Sequence, residues 1–324
     1  SLYKKNLLNK NIIVVPKNKI FKGRFLETVY SIILIFIHFS KIKKSNLLKS
    51  NQVNGSWTAL IGKVIFNKPF FLRCGYLISR SEKIWKRRNK LSIKIMQLIE
   101  KLVFTYCDVS TVSNEGDQRY IQKNLGLSKK PIVINSFIDE KKFFLIKNHE
   151  KEKDTFLYIG RLSYEKNLQN IFKAIKKTDS KLSVIGSGLE EFNLKKLAKD
   201  LNIKVNFLGT IDNSRLNNVL NDHKFFILCS LSEGLPKSLL EAKASGRICI
   251  GSDVPGIKEL IKDETTGFLS QGIDAVSISK AITKAKKSNK IEEIREKSTQ
   301  EILSHFTFDK YYERVNDILD QVLL

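Results

Sequence analysis

Residues 230–244 read SLSEGLPKSLLEAKA and follow directly on the apolar run FFILC at 225–229. A short apolar run ending at a polar turn reads as a buried strand, and KSLLEAKA after the Gly-Leu-Pro turn reads as a helix. Pro236 suits the first helical position, where its missing N–H is no loss and its φ is already set. Gly234 and Leu235 then present backbone N–H groups, with the positive end of the helix, to a phosphate in the crevice beyond the strand. Glu233 stands just before that turn, placed to accept hydrogen bonds from hydroxyls beyond the phosphate. Glu241 falls about one and a half turns into the helix, in reach of a ribose diol. A phosphate site flanked by two carboxylates that read hydroxyls suits a nucleotide sugar. An exposed helix glutamate is an equally good reading of Glu241 taken alone.

Outward from this stretch the chain alternates. From Thr155 it runs TFLYIG (strand), NLQNIFKAIKK (amphipathic helix), KLSVIG (strand), EEFNLKKLAKDL (helix), KVNFLG (strand), SRLNNVLND (helix), KFFILCS (strand), and RICIGS closes the series as a strand. Strands alternating with helices imply right-handed crossovers and a parallel, doubly wound α/β sheet, with ligands expected at the carboxyl ends of its strands. Two further strand ends supply residues for that crevice. In GRLSYEKN the strand ends at Gly160, and Arg161 and Lys166 follow, a guanidinium and an ammonium that together suit a diphosphate. In IGSGLEE, Gly186 and Gly188 are small enough to let backbone approach a ligand. Two solvated cations and an ordinary turn are the plain alternatives for these loops read singly.

The first half is less regular. NIIVV and KPFFLRC read as strands, RNKLSIKIMQLIEKLVF as a long basic amphipathic helix, DVSTVS as a short strand, and KKPIVI as a last strand before a crossover near NSFID. The charged KNHEKEKD at 147–154 is the expected linker, which puts a boundary between Ser136 and Asp154. We expect three units: an acceptor-side unit at 1–140, a donor-binding unit at 141–305, and a helix at 306–324 that packs back on the first.

At 324 residues two domains are the default, and with 42% hydrophobic residues the chain is expected to be globular. The first residue is Ser and the only methionine is Met96, so the first domain is expected to lack its N-terminal part. Cys74, Cys107, Cys229 and Cys249 lie far apart without metal-type pairing and read as buried thiols. No stretch reaches the roughly 18 apolar residues of a spanning helix. VYSIILIFIHF at 29–39 comes nearest and reads as a core helix, with an interfacial segment as the alternative. The net charge of +24 is uneven: residues 1–150 carry 29 Lys and Arg against 9 Asp and Glu, residues 151–324 carry 28 against 24. An anionic partner for the first half follows. Lys and Arg beside Ile, Leu and Trp85 in HFSKIKK and KIWKRRNKLSIKIMQLIEK fit an anionic membrane surface, and a solvated helix whose apolar side is core is an equally good reading of either stretch alone.

YIGRLSYEKN, VIGSGLEE, FLG, SLSEGLPKSLLEA, DVPGIKELI and TGFLS together resemble, in order and spacing, the donor domain of the retaining glycosyltransferases of family 4 (glycosyltransferase group 1). The resemblance spans residues 155–270, and its most diagnostic element is the pair of glutamates in EGLPKSLLE. It implies a GT-B fold, two Rossmann-like doubly wound domains facing a cleft. It also implies transfer of a sugar from a nucleotide-diphosphate donor, a UDP-sugar being expected, with retained configuration and no metal or other cofactor. Carried onto this chain, Arg161 and Lys166 bind the diphosphate, Glu233 contacts the sugar and Glu241 the ribose, so that Glu233, Arg161 and Lys166 carry the chemistry. VPGIKELI resembles the family's Gly-x-x-Glu loop beside the donor, which points to Gly256 and Glu259. Many members carry a histidine where LRCGY stands here, so either Cys74 or Gly75 fills that place.

A lipid-linked or saccharide acceptor in cell-surface glycan synthesis is the expected partner, with the enzyme peripheral to the inner face of the plasma membrane. A family member that binds donor without turnover is the first alternative. A basic nucleic-acid-binding protein is the second; no aromatic-basic RNA motif supports it, the two glutamates have no role in it, and no nucleic-acid partner is expected.

Overall fold

The computed structural model describes residues 33–85, 89–147 and 152–323. The NIIVV strand, residues 148–151 of the proposed linker and residues 86–88 of the basic stretch lie outside the described residues.

The first half holds a four-stranded parallel sheet in the order β1 (Leu48–Ser50), β2 (Phe70–Cys74), β3 (Val109–Val112), β4 (Ile132–Val133). Helices α1 (Phe39–Lys44), α2 (Trp57–Phe66), α3 (Ile78–Trp85), α4 (Lys90–Tyr106) and α5 (Glu115–Asn124) accompany it. Two begin where an asparagine side chain satisfies an orphan backbone donor. Asn89 accepts from Ser92 N at 2.8 Å ahead of α4, and Asn114 from Asp117 N at 2.7 Å ahead of α5. Phe70, Leu72 and Cys74 on β2 pack with Val103, Phe104 and Ile121 into the core of this half.

The second sheet has six parallel strands: β5 (Lys153–Ile159), β6 (Leu182–Ile185), β7 (Val205–Gly209), β8 (His223–Leu228), β9 (Ile248–Ser252) and β10 (Phe268–Ser270). Their spatial order is β10-β9-β8-β5-β6-β7. The chain therefore enters at the centre, winds out one way through β6 and β7, and returns through β8 to wind out the other way. Helices α6 (Leu168–Lys177), α7 (Glu191–Asp200), α8 (Leu216–Asn221), α9 (Lys237–Ala244), α10 (Pro255–Lys258) and α11 (Ala275–Lys287) connect these strands or follow the last of them. Phe156, Phe225 and Phe226 on the two central strands are fully buried, as strands covered on both faces require.

Two features of this half differ from the sequence reading. The strand β5 begins at Lys153, inside the stretch read as linker, because Lys153 N donates to Asp222 O at 3.0 Å and the residue pairs with His223. Glu152 just before it is clamped by Arg247 Nη1 at 2.7 Å and by both terminal nitrogens of Arg295 at 3.0 and 3.1 Å. Arg295 lies on α12 (Ile291–His305). Lys243, fully buried on α9, reaches the same helix through Glu301 at 3.0 Å. A charge-rich sequence thus supplies internal ties as well as solvated surface.

The last helix, α13 (Phe308–Leu323), lies against the first sheet: Ile318 packs with Phe71 and Ile134, flanked by Tyr311, Val315 and Leu319. The rings of Phe137 and Phe308 meet at 5.1 Å.

Candidate active site

The winding direction reverses between β5 and β8, and the loops leaving these adjacent strands open a crevice at their carboxyl ends. Arg161 and Lys166 follow β5, and Glu233 follows β8. Lys166 Nζ meets Glu233 Oε1 at 2.6 Å, with both side chains largely shielded, and Ser230 Oγ donates to the same oxygen at 2.7 Å. The carboxylate is held from two sides. Ser230 is fixed in turn, since its carbonyl accepts from Ser252 Oγ at 2.7 Å. Asn167, in the left-handed region at φ 58°, donates to Cys229 O at 3.0 Å and Ile273 O at 2.7 Å, and Leu231 N donates to Glu165 O at 2.8 Å. These bonds bind the loops after β5 and β8 into one rigid floor. Arg161 differs from its neighbours: its side chain is 78% exposed and only loosely paired with Glu165 at 3.7 Å, so the guanidinium stands open to the crevice.

The glycines allow close packing of backbone on backbone. A Cβ on Gly186 would fall 1.8 Å from Gly160 O, and one on Gly188 would fall 2.2 Å from Leu162 O. They let the loop after β6 pack on the loop after β5, backbone against backbone, and so shape the crevice from behind. Gly256 does the same for the turn after β9, where a Cβ would lie 1.7 Å from Gly234 O.

Pro236 is the N-cap of α9 rather than its first helical residue, with ψ 115° and its carbonyl accepting from Leu239 N at 3.1 Å and Leu240 N at 3.3 Å. Gly234 and Leu235 precede it in the turn. Glu241 lies on the buried face of α9, 4.0 Å from Lys237, and burial raises its carboxyl to about 7 against the smaller opposing effect of Lys237. It is therefore not a solvated helix glutamate.

The first half meets this site at two points. Gly75 O accepts from Ser113 Oγ at 2.7 Å, and a Cβ on Gly234 would lie 2.8 Å from that carbonyl. Cys74 points inward instead, its thiol donating to Tyr76 O at 3.2 Å and raised well above its ordinary value by burial. Of the two residues at the histidine-like position, Gly75 is the one that faces the donor-side turn. Glu259 accepts from Glu115 N at 3.1 Å and Gly116 N at 3.0 Å, so it holds the start of α5 across the cleft. Burial raises its carboxyl, and those two N–H groups oppose the rise. Ser230, Ser113 and this crossing of Glu259 have no sequence signature beyond a Ser beside a strand end or a helix glutamate. Among the described residues no three His, Cys, Asp or Glu side chains converge as a metal site.

The profile of the family described as "Glycosyl transferases group 1" matches residues 139–301. Over 199 residues the chain is 31% identical to the GalNAc-α-(1→4)-GalNAc-α-(1→3)-diNAcBac-PP-undecaprenol α-1,4-N-acetyl-D-galactosaminyltransferase of Campylobacter jejuni subsp. jejuni serotype O:2, covering 59% of this chain and 54% of that protein. It is 27% identical over 219 residues to the UDP-Gal:α-D-GlcNAc-diphosphoundecaprenol α-1,3-galactosyltransferase of Escherichia coli, covering 65% and 50%. The chain spans between half and two thirds of the length of such relatives. Among solved structures, sucrose-phosphate synthase of Thermosynechococcus elongatus superposes with a TM-score of 0.84 at 18% identity, covering 93% of this chain and 80% of that one. Anabaena HepE in complex with UDP superposes at 0.78 and 14% identity, covering 89% and 82%. These likenesses establish the GT-B fold.

Proposed function

We propose a sugar transfer for this cleft, because the chain belongs to the family of glycosyl transferases group 1. The donor is a nucleotide-diphosphate sugar, and the observation that carries this reading is the meeting of Lys166, Glu233 and Ser230 at the reversal of the sheet, beside the open guanidinium of Arg161. UDP is the expected nucleotide; a relative named for UDP-Gal and a structural neighbour bound to UDP support it. Arg161 and Lys166 hold the diphosphate, the turn at Gly234 and Leu235 adds backbone N–H groups, and Glu241 takes the ribose diol. The glycines 160, 186, 188 and 256 keep the loops close enough to build that surface.

Glu233 orients the sugar. A carboxylate oxygen already engaged by an ammonium at 2.6 Å and a hydroxyl at 2.7 Å is a poor nucleophile but a well-fixed acceptor for sugar hydroxyls. In the proposed step the bond from the anomeric carbon to the diphosphate oxygen breaks. The acceptor oxygen bonds to the same face of that carbon, and its proton passes to the departing diphosphate. Configuration is retained, and the cations stabilise the leaving charge without a metal. Calorimetry with UDP, followed by mass spectrometry of products from a panel of UDP-sugars, tests this; no UDP binding would overturn it.

The acceptor is lipid-linked, as the names of the Campylobacter and Escherichia relatives state for those enzymes. A specific observation on this chain favours a membrane-held acceptor. On α4, Leu91, Ile95, Leu98, Leu102 and Tyr106 are all exposed and recur at helical spacing, with Lys90, Lys94 and Lys101 beside them. Phe36, Ile37, Phe39, Val64 and Ile65 form further exposed apolar surface in the same half, near Lys41, Lys43 and Lys44. No helix among the described residues is long and apolar enough to cross a membrane. A peripheral, cytoplasmic-face attachment to anionic lipid fits these facts. Co-sedimentation should occur with anionic vesicles, weaken with salt and fail with zwitterionic ones.

A further inference from the structure

Beside the Lys166–Glu233 pair lies a cavity of about 380 Å³, which none of Arg161, Lys166, Glu233 and Glu241 lines. One wall is the turn before α6 and its first residues, where Ser163, Tyr164, Gln169 and Asn170 bring hydroxyls and carboxamides. Glu190, at the start of α7, adds the one charge among the described residues, and no described lysine or arginine contributes. Leu231 and Ile273 supply apolar surface from the second half, and Ile84 on α3 supplies it from the first.

This lining selects a class of ligand. A volume of this size lies within the range of small-molecule sites. With a carboxylate and no cation among its described lining residues, the cavity disfavours phosphates and nucleotides. Amide, hydroxyl and phenol groups set against leucine and isoleucine suit a neutral polyhydroxylated ring, whose edges hydrogen-bond and whose faces are apolar. The polar wall is also preorganised: Asn170 Nδ2 is engaged by Asn167 Oδ1 at 2.8 Å, and Asn167 is itself anchored to two backbone carbonyls. The site is placed for the reaction. Tyr164 is two residues from Lys166, Leu231 is two residues from Glu233, and Asn167 on the cavity wall directly follows Lys166, so the cavity is walled by the same two loops that carry the pair.

We propose that this cavity is a subsite for a neutral sugar unit of the acceptor, seated beside the sugar being transferred and gripped from both halves of the chain. The assignment rests on the transferase reading above, and its test separates the two. Calorimetry of the full chain with UDP alone reads the nucleotide site. Ligand-observed NMR of the UDP-saturated chain, titrated with the methyl α-glycosides of glucose, galactose and N-acetylgalactosamine, reads the cavity. At least one glycoside should bind. Gln169→Trp, at an exposed position on the rim, and Glu190→Ala should each weaken it about tenfold while UDP affinity stays within about twofold. Binding of no glycoside to the unaltered chain, or glycoside affinity unchanged in both variants, overturns the subsite. Absence of UDP binding to the unaltered chain overturns the transferase reading and with it the acceptor role; the glycoside titration, repeated without UDP, then decides only whether the cavity is a sugar site.

Discussion

The two sides of the cleft differ in how much charge they draw inward. Both keep many solvated lysines, and among the described residues the first half has one shielded pair, Arg80 with Asp117, where the second has several. On the donor side, cations are drawn inward and matched: Lys166 to Glu233, Arg247 and Arg295 to Glu152, and Lys243 to Glu301. In the first half most lysines stay outside, next to an apolar stripe on α4 that no described residue covers to burial. The difference teaches what each half is built to meet. Matched charges in a shielded crevice prepare a fixed electrostatic environment for a diphosphate, whereas solvated cations beside exposed leucines suit a broad anionic surface.

Breaking an internal tie gives the largest expected effect. Glu152→Ala leaves the buried Arg247 without its carboxylate and should cost about 3–5 kcal/mol in chemical denaturation, where Leu98→Ser on the exposed stripe should stay within about 0.5 kcal/mol. Equal losses from the two variants would erase the contrast between the halves.

Next in size is the division of labour in the crevice. Glu233→Gln should lower turnover on the order of a hundredfold or more while changing UDP affinity little if, as proposed, its contact is with the sugar. Arg161→Ala should weaken UDP by about 1.5–3 kcal/mol in calorimetry, because the guanidinium contact is charge-assisted. Variants that shift rate and affinity together would show that the two residues share one role.

A smaller effect concerns pH. Glu241 is held at about 7 by burial, above its unfolded value, so the folded chain binds a proton there that the unfolded chain releases. Its contribution to stability is present below the unfolded pKa and is lost as pH rises through about 7. Glu241→Gln should therefore flatten the decline of thermal stability between about pH 5 and 8, by no more than about 3 kcal/mol. An unchanged pH profile would place the carboxylate in a more solvated setting. The smallest effect is that of chelation: EDTA should leave sugar transfer intact, and loss of activity restored by manganese or magnesium would mean that Arg161 and Lys166 do not suffice for the leaving group.

Legibility followed the range of the interactions. The alternation of strand and helix after Thr155 is written in local periodicity, and so are the turn and helix that carry the two glutamates. Lys153 looked like linker because its strand is defined by pairing with His223, and nothing in KNHEKEKD is apolar. Pro236 missed its place by one residue, since helix ends depend on local ψ as much as on composition. Gly186 and Gly188 were legible as close-approach positions, but what approaches them is the chain's own backbone.

By itself, then, the sequence determined the doubly wound second sheet and the residues gathered at its strand ends, because hydrophobic period, turn chemistry and spacing act within a few positions. Only the tertiary structure decided what those residues meet. Glu233 finds Lys166 across 67 positions, Glu259 caps α5 across 143, and the cavity gains Ile84 from the other half. Burial and partnership are properties of packing, and a glutamate carries no local mark of whether it will be solvated, held near neutrality or used to join two halves of a cleft.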